Sequence, residues 1–197
     1  MRWTLRFAIL FFLAWAIFMV SPFVALYSLG KAVQARDIAA IEERVNFRAV
    51  RLSLSKQIVS EYLRTSGRGA QLEGMNRSLA TSAGATLADP LVAKIASPEA
   101  LLGWLDGRPP EPLARNPAAR GGLQGSWSSA NAALRSFVFS ETRGFRTVLV
   151  PVPGDRPPAE QFRLQVRLVG TTWRLIGVEL PKSLVETLVR QLPRSTS

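Results

Sequence analysis

Between Arg6 and Lys31 lie 24 residues without a single charge, FAILFFLAWAIFMVSPFVALYSLG. A helix of that length rises roughly 36 Å, enough to cross a hydrocarbon core of about 30 Å. A cleavable signal peptide carries an apolar core of only about 7–15 residues ahead of a small-residue cleavage site. Here the run is longer, and bulky Phe23, Leu26, Tyr27 and Leu29 occupy its exit. The expectation is an uncleaved signal-anchor helix over 7–30, with a tail at 1–6 before it and a single domain at 31–197 after it. Phe7, Trp15, Pro22 and Leu29 mark the anchor, Pro22 as a kink site. Trp3, Trp15 and Tyr27 are its candidates for interfacial or lipid-facing aromatics.

The flanks are almost balanced, with Arg2 and Arg6 on one side and Lys31, Arg36 and Arg44 on the other. A six-residue tail normally stays inside, so the expected orientation is amino terminus in the cytoplasm and domain outside it.

The chain contains no cysteine and no histidine. That excludes disulfides, zinc or haem ligation by these side chains, and every Ser-His or Cys-His nucleophile. No D-x-D-x-D-G calcium loop occurs either, and the acids are scattered singly apart from Glu42-Glu43.

Helical spacing dominates residues 31–106. Ile38, Ile41 and Val45 form one apolar stripe, and Phe47, Val50, Leu54, Ile58 and Tyr62 form a second. Asn46, between two apolar residues, suits a sharp turn because its side chain can bond local backbone. The stretch 36–58 therefore reads as a helix corner with Ile38, Ile41, Phe47, Val50 and Leu54 facing one core. Residues 65–88 are rich in Gly, Ser, Ala and Thr and read as a loop or a poorly specified helix. Asp89-Pro90 and Ser97-Pro98-Glu99 are helix starts, each a capping side chain followed by proline, and Gly107 is a stop. Loop composition then runs over 107–127.

From about 135 to 180 the period shifts to two. Phe137 and Phe139 alternate with polar neighbours, Arg143-Gly144 marks a turn, and FRTVLVPV follows. The clearest strand sets Phe162, Leu164, Val166 and Leu168 on one face and Gln161, Arg163, Gln165 and Arg167 on the other. WRLIGVEL follows after a Gly170-Thr171-Thr172 turn, and an amphipathic helix over 182–192 ends the pattern. Helices first and a meander after them predict an α+β domain with helices packed on a four-stranded antiparallel sheet.

The run from Tyr27 to Gln57 carries Ala32, Arg36-Asp37, Ile41, Val45-Asn46-Phe47, Arg51 and Leu54. It resembles the uncharacterised bacterial domain-of-unknown-function family 2939, whose members pair an N-terminal membrane helix with an "ARD…L…VDF…R..L" pattern. The resemblance implies a bacterial inner-membrane protein with a periplasmic domain and supplies no activity. Asn46 stands where that family usually has Asp, which weakens a catalytic acid there. The helix-then-strand order ending in WRLIGVEL is similar to the nuclear transport factor 2-like cone folds, which host binding modules and enzymes alike.

Few residues offer chemistry. Ser53-Leu54-Ser55-Lys56 fits S-x-x-K, yet neither S-D-N nor K-T-G follows, and two polar residues on a solvated helix face is the preferred reading. Asp37, Glu42 and Glu43 sit beside Arg36 and Arg44 and read as surface ion pairs. Trp104, Trp127 and Trp173 read as core before they read as pocket walls. No catalytic residue, cofactor or metal is assigned.

Beyond the anchor, 23 basic residues face 14 acidic ones, a net charge of +9. Nucleic acid is not the expected partner, because the Arg163, Gln165 and Arg167 face carries no aromatics. That face is the candidate interaction surface. The expected partners are the bilayer through residues 7–30, an integral-membrane protein and, as a further candidate, anionic lipid headgroups. The expected role is that of a non-catalytic accessory or scaffold subunit. The alternative is a pocket protein for an apolar or anionic small molecule or lipid, with or without enzymatic activity.

Overall fold

The computed structural model describes residues 2–65, 90–105, single positions between 108 and 119, and residues 140–142, 146–152 and 157–192. The stretch expected to be loop after Thr65, the Asp89 cap, the Gly107 stop, most of the 107–127 loop, Trp127, Phe137, Phe139 and the Arg143-Gly144 turn lie outside these residues.

Helix α1, Arg2–Gln34, contains the whole uncharged run and is long and apolar enough to cross a membrane. Its end is built by local backbone geometry. The Arg36 N–H donates to the Val33 carbonyl and the Asp37 N–H to the Ala32 carbonyl, both at 2.9 Å. Between them Arg36 adopts φ +54°, the left-handed conformation that closes a Schellman motif. Asp37 then caps the next helix, its carboxylate accepting from the Ala40 N–H at 3.0 Å. Arg36-Asp37 is therefore a corner: the first residue ends α1 and the second starts α2, Ile38–Arg44.

The second corner works differently. Val45 leaves the helix, forms a parallel bridge with Leu175, and the Asn46 N–H donates to the Leu175 carbonyl at 2.9 Å. Asn46 also caps α3, Phe47–Thr65, by accepting from the Ala49 N–H at 3.1 Å. Aspartate would accept that bond equally well, so the Asn/Asp choice here is explained by capping. On the exposed end of α3, Arg64 donates to Glu61 and holds its carboxyl below the ordinary value of 4.5.

Helical residues 90–95 lead to α4, Pro98–Leu105, whose Ser97 cap accepts from the Ala100 N–H at 3.0 Å. Glu99 is held below the ordinary carboxylate value by its own backbone N–H and then by Ser97. The final helix, α5, spans Lys182–Val189 and stops short of the expected Leu192. Its Leu184 and Leu188 are fully buried.

Three full strands, β1 Thr147–Val152, β2 Phe162–Val169 and β3 Thr172–Glu179, form an antiparallel sheet in chain order. Glu141 and Thr142 add a two-residue pairing on the outer side of β1. The register shifts between Gln165 and Val166, where Ile176 is the extra residue on β3. That bulge switches the side-chain parity: Trp173 and Leu175 face the core before it, and Val178 does after it.

The outer edge of β3 is covered rather than free. The Gln57 amide donates to the Val178 carbonyl at 2.7 Å and accepts from the Leu180 N–H at 2.9 Å, imitating a neighbouring strand. Such close packing of helix on strand needs Gly177. A Cβ there would meet Gln165 Oε1 at 2.9 Å and Ser53 Oγ at 3.0 Å.

Phe162, Val166, Val150, Ile41, Val50 and Ile58 are the centre of the core, and Trp104 meets Phe162 edge-on at 5.5 Å. One expected core residue needs correction. Ile38 is 44 % exposed at the start of α2, whereas Phe47, half-buried at the start of α3, packs against the core.

Candidate functional site

The anchor residues behave as two groups. Phe7 and Trp15 are 63 % and 50 % exposed, on the free part of α1. Pro22 is buried against the domain and Leu29 is only 8 % exposed within its core, so neither is a lipid-facing position. Leu26, Leu29 and Val33 repeat at helical spacing and are the stripe by which α1 enters the core. Higher up the strands, Trp173 stacks against Phe18 at 6.0 Å and donates its indole N–H to Ser21. The helix therefore carries the domain on its second half, with no linker.

The Arg163, Gln165 and Arg167 face is less open than its alternation implies. Arg163 approaches Glu179 at 3.9 Å across the strands, and Gln165 is half-buried beside Gly177. Leu149, opposite Gln165 in register, is 1 % exposed. Only Arg167 is fully exposed, and it lies opposite Arg174. Ser53 and Lys56 are not brought together: Ser53 Oγ sits against Gly177 and 3.4 Å from the Gln57 amide, while Lys56 points to solvent. Among the described residues no cluster of three or more acids gathers that could hold a metal ion.

Two cavities differ in kind. One is enclosed by Leu29, Val33, Leu54, Trp104, Phe162 and Leu180 among others and holds about 50 Å³. Its walls are apolar, so it is a dry packing void, well below the roughly 300–1,000 Å³ of ligand sites. The other is an open groove of about 790 Å³ along one side of α1. Ala16, Ile17, Val20, Val24 and Ala25 form its apolar floor, and Glu43, Arg44, Thr171, Thr172 and Trp173 form its rim. Neither Glu43 nor Arg44 has an ion-pair or side-chain hydrogen-bond partner among the described residues. Sequence reading misses this groove, since its walls come from three segments between Ala16 and Trp173; by sequence Glu43-Arg44 reads as ion-paired surface.

Residues 11–102 match the family model described as "Protein of unknown function (DUF2939)", the family that the Tyr27–Gln57 pattern resembles. No curated protein and no solved structure matches the chain.

Proposed function

We propose, starting from that family match over residues 11–102, that this is a single-pass membrane protein whose domain sits flush on the bilayer as a non-catalytic interaction subunit. The observation that supports it is the division of α1. From Trp3 to Ile17 every large apolar side chain is half or more exposed, whereas Leu26, Leu29, Ala32 and Val33 are domain core. Counting about 30 Å from Trp3 at 1.5 Å per residue ends the span near Pro22, level with Trp173 and the β2–β3 turn. The bilayer covers most of the exposed stretch, and an integral-membrane partner packs laterally on part of it. In this reading the membrane is the bacterial inner membrane, with the amino terminus cytoplasmic and the domain periplasmic. In this reading the two-residue Glu141–Thr142 pairing stands for the fourth strand of the expected sheet.

Two measurements test the reading. Protease added outside spheroplasts should digest the chain beyond about residue 40, and protection of the domain reverses the orientation. A stoichiometric membrane partner should co-purify in mild detergent and be lost from Phe11→Ala or Leu10→Ala protein that remains folded. Retention of full activity by partner-free protein in a defined assay would overturn the subunit role.

The groove favours a second reading, a lipid-binding site, because its floor continues the exposed surface of α1.

A further inference from the structure

We infer that the groove between α1 and the β2–β3 turn binds one phospholipid from the surrounding bilayer, with a zwitterionic phosphoethanolamine headgroup held between Glu43 and Arg44. The inference rests on the membrane-anchored reading of α1 and adds to it a site and a ligand class.

Position is the first argument. The floor runs along α1 from Ala16 to Ser28, starting among residues exposed on the free half of the helix and ending where α2 packs against it. Ile17, Val20 and Val24 are 64 %, 48 % and 56 % exposed, so an acyl chain can follow that surface from the bilayer into the groove without crossing a polar barrier. At about 790 Å³ the space suits the glycerol region and upper chains of one lipid.

Charge is the second. The rim offers one carboxylate, Glu43, and one guanidinium, Arg44, on adjacent residues, together with Thr171 and Thr172. Neither charge is satisfied within the described protein. A guanidinium presents a fork of donors that matches a phosphate diester. A purely anionic headgroup would meet Arg44 but be repelled by Glu43. A phosphate linked to a primary ammonium satisfies both, the ammonium donating hydrogen bonds to the carboxylate. A quaternary ammonium has no N–H to donate, so phosphocholine loses that half of the match. The excess positive charge of the whole domain attracts anionic lipids in a diffuse, salt-sensitive way, and that attraction is separable from a seated headgroup.

The test uses the full chain reconstituted into phosphatidylcholine nanodiscs doped with a photoactivatable phosphatidylethanolamine, phosphatidylglycerol or phosphatidylcholine bearing the label high on its acyl chain. The phosphatidylethanolamine probe should label 16–25 and 171–173 about tenfold more than the other two, and the preference should persist at high salt. Arg44→Gln and Glu43→Gln should each cut that labelling about fivefold. Labelling around Leu10 and Leu13, on the free half of the helix, should be the same for all three probes and all variants. Val20→Trp, on an exposed position, should fill the groove and abolish the selective labelling while leaving the domain folded. Equal labelling of the groove by the three probes, or no response to Arg44→Gln and Glu43→Gln, would show ordinary boundary lipid and overturn the site while leaving the anchor standing. Failure of the protein to enter nanodiscs at all would overturn the anchor reading, and this site with it.

Discussion

Trp3, Phe11 and Ile17, in the first half of α1, are 72 %, 75 % and 64 % exposed, while Leu26 and Val33, in the second half, are each 3 % exposed. Both halves are uncharged almost throughout and consist mostly of apolar residues. Hydropathy therefore does not tell a residue whether it will meet lipid or protein. Placement of the sheet does: the β2–β3 hairpin meets α1 at Phe18 and Ser21, and C-terminal to them Leu26, Leu29, Ala32 and Val33 are buried in the core.

The sharpest way to break this comparison is to truncate one apolar residue in each half. Leu26→Ala should lower domain stability by about 2–5 kcal/mol, the usual cost of a buried Leu, whereas Leu10→Ala should change it by no more than about 0.5 kcal/mol. Equal shifts in thermal or denaturant unfolding in detergent would mean that the division at the hairpin is wrong. The boundary itself can be probed with Trp173→Phe, which keeps the ring but removes the donor to Ser21. A loss of about 0.5–1.5 kcal/mol is expected, and Ser21→Ala added to it should cost little more if the two effects are one hydrogen bond.

Asn46 sharpens the comparison from the domain side, because its corner sets how α3 meets the sheet. Asn46→Ala should cost about 1 kcal/mol through the lost cap, and Asn46→Asp should stay within about 0.5 kcal/mol of the parent. A large loss of function with Asn46→Asp in a folded protein would mean that the position does more than cap. The smallest effect concerns acid. Because Arg64 depresses the Glu61 carboxyl, the contribution of that pair is complete above pH 4.5 and is lost as the pH falls below it. Glu61→Gln should flatten that part of the stability–pH curve by slightly lowering stability above pH 4.5 and leaving stability at low pH nearly unchanged, read by thermal unfolding across a pH series.

Periodicity made much of the fold legible. The α2–α3 corner, the Ser97 cap and the buried face Phe162, Leu164 and Val166 all follow from spacing that local physics enforces. What stayed hidden depends on partners distant in the chain. Nothing local to Ile176 announces a bulge, and the parity switch matters only because Val178 must reach the same core as Leu175. Gln57 reads as a solvated helix residue until β3 is placed beside it. Leu29 carries the composition of an anchor and the burial of a core residue. The candidate site was the least legible part: Glu43 and Arg44 were visible as a charge pair, but the other groove residues belong to α1 and to the turn and strand start at 171–173.

The unbroken course of α1 has a mechanical consequence. Arg2–Gln34 is one rod of about 50 Å, its second half bolted into the domain through Leu26, Leu29 and Val33. The seventeen residues Arg2–Phe18 make a lever arm of roughly 25 Å, so a membrane helix tilted by about 20°, as such helices commonly are, displaces the far end of the arm by about 9 Å. A domain on a flexible tether would ignore that tilt. In the membrane-spanning reading the sheet must follow it, and a thinner or thicker bilayer would be converted directly into a different attitude of the domain above the surface.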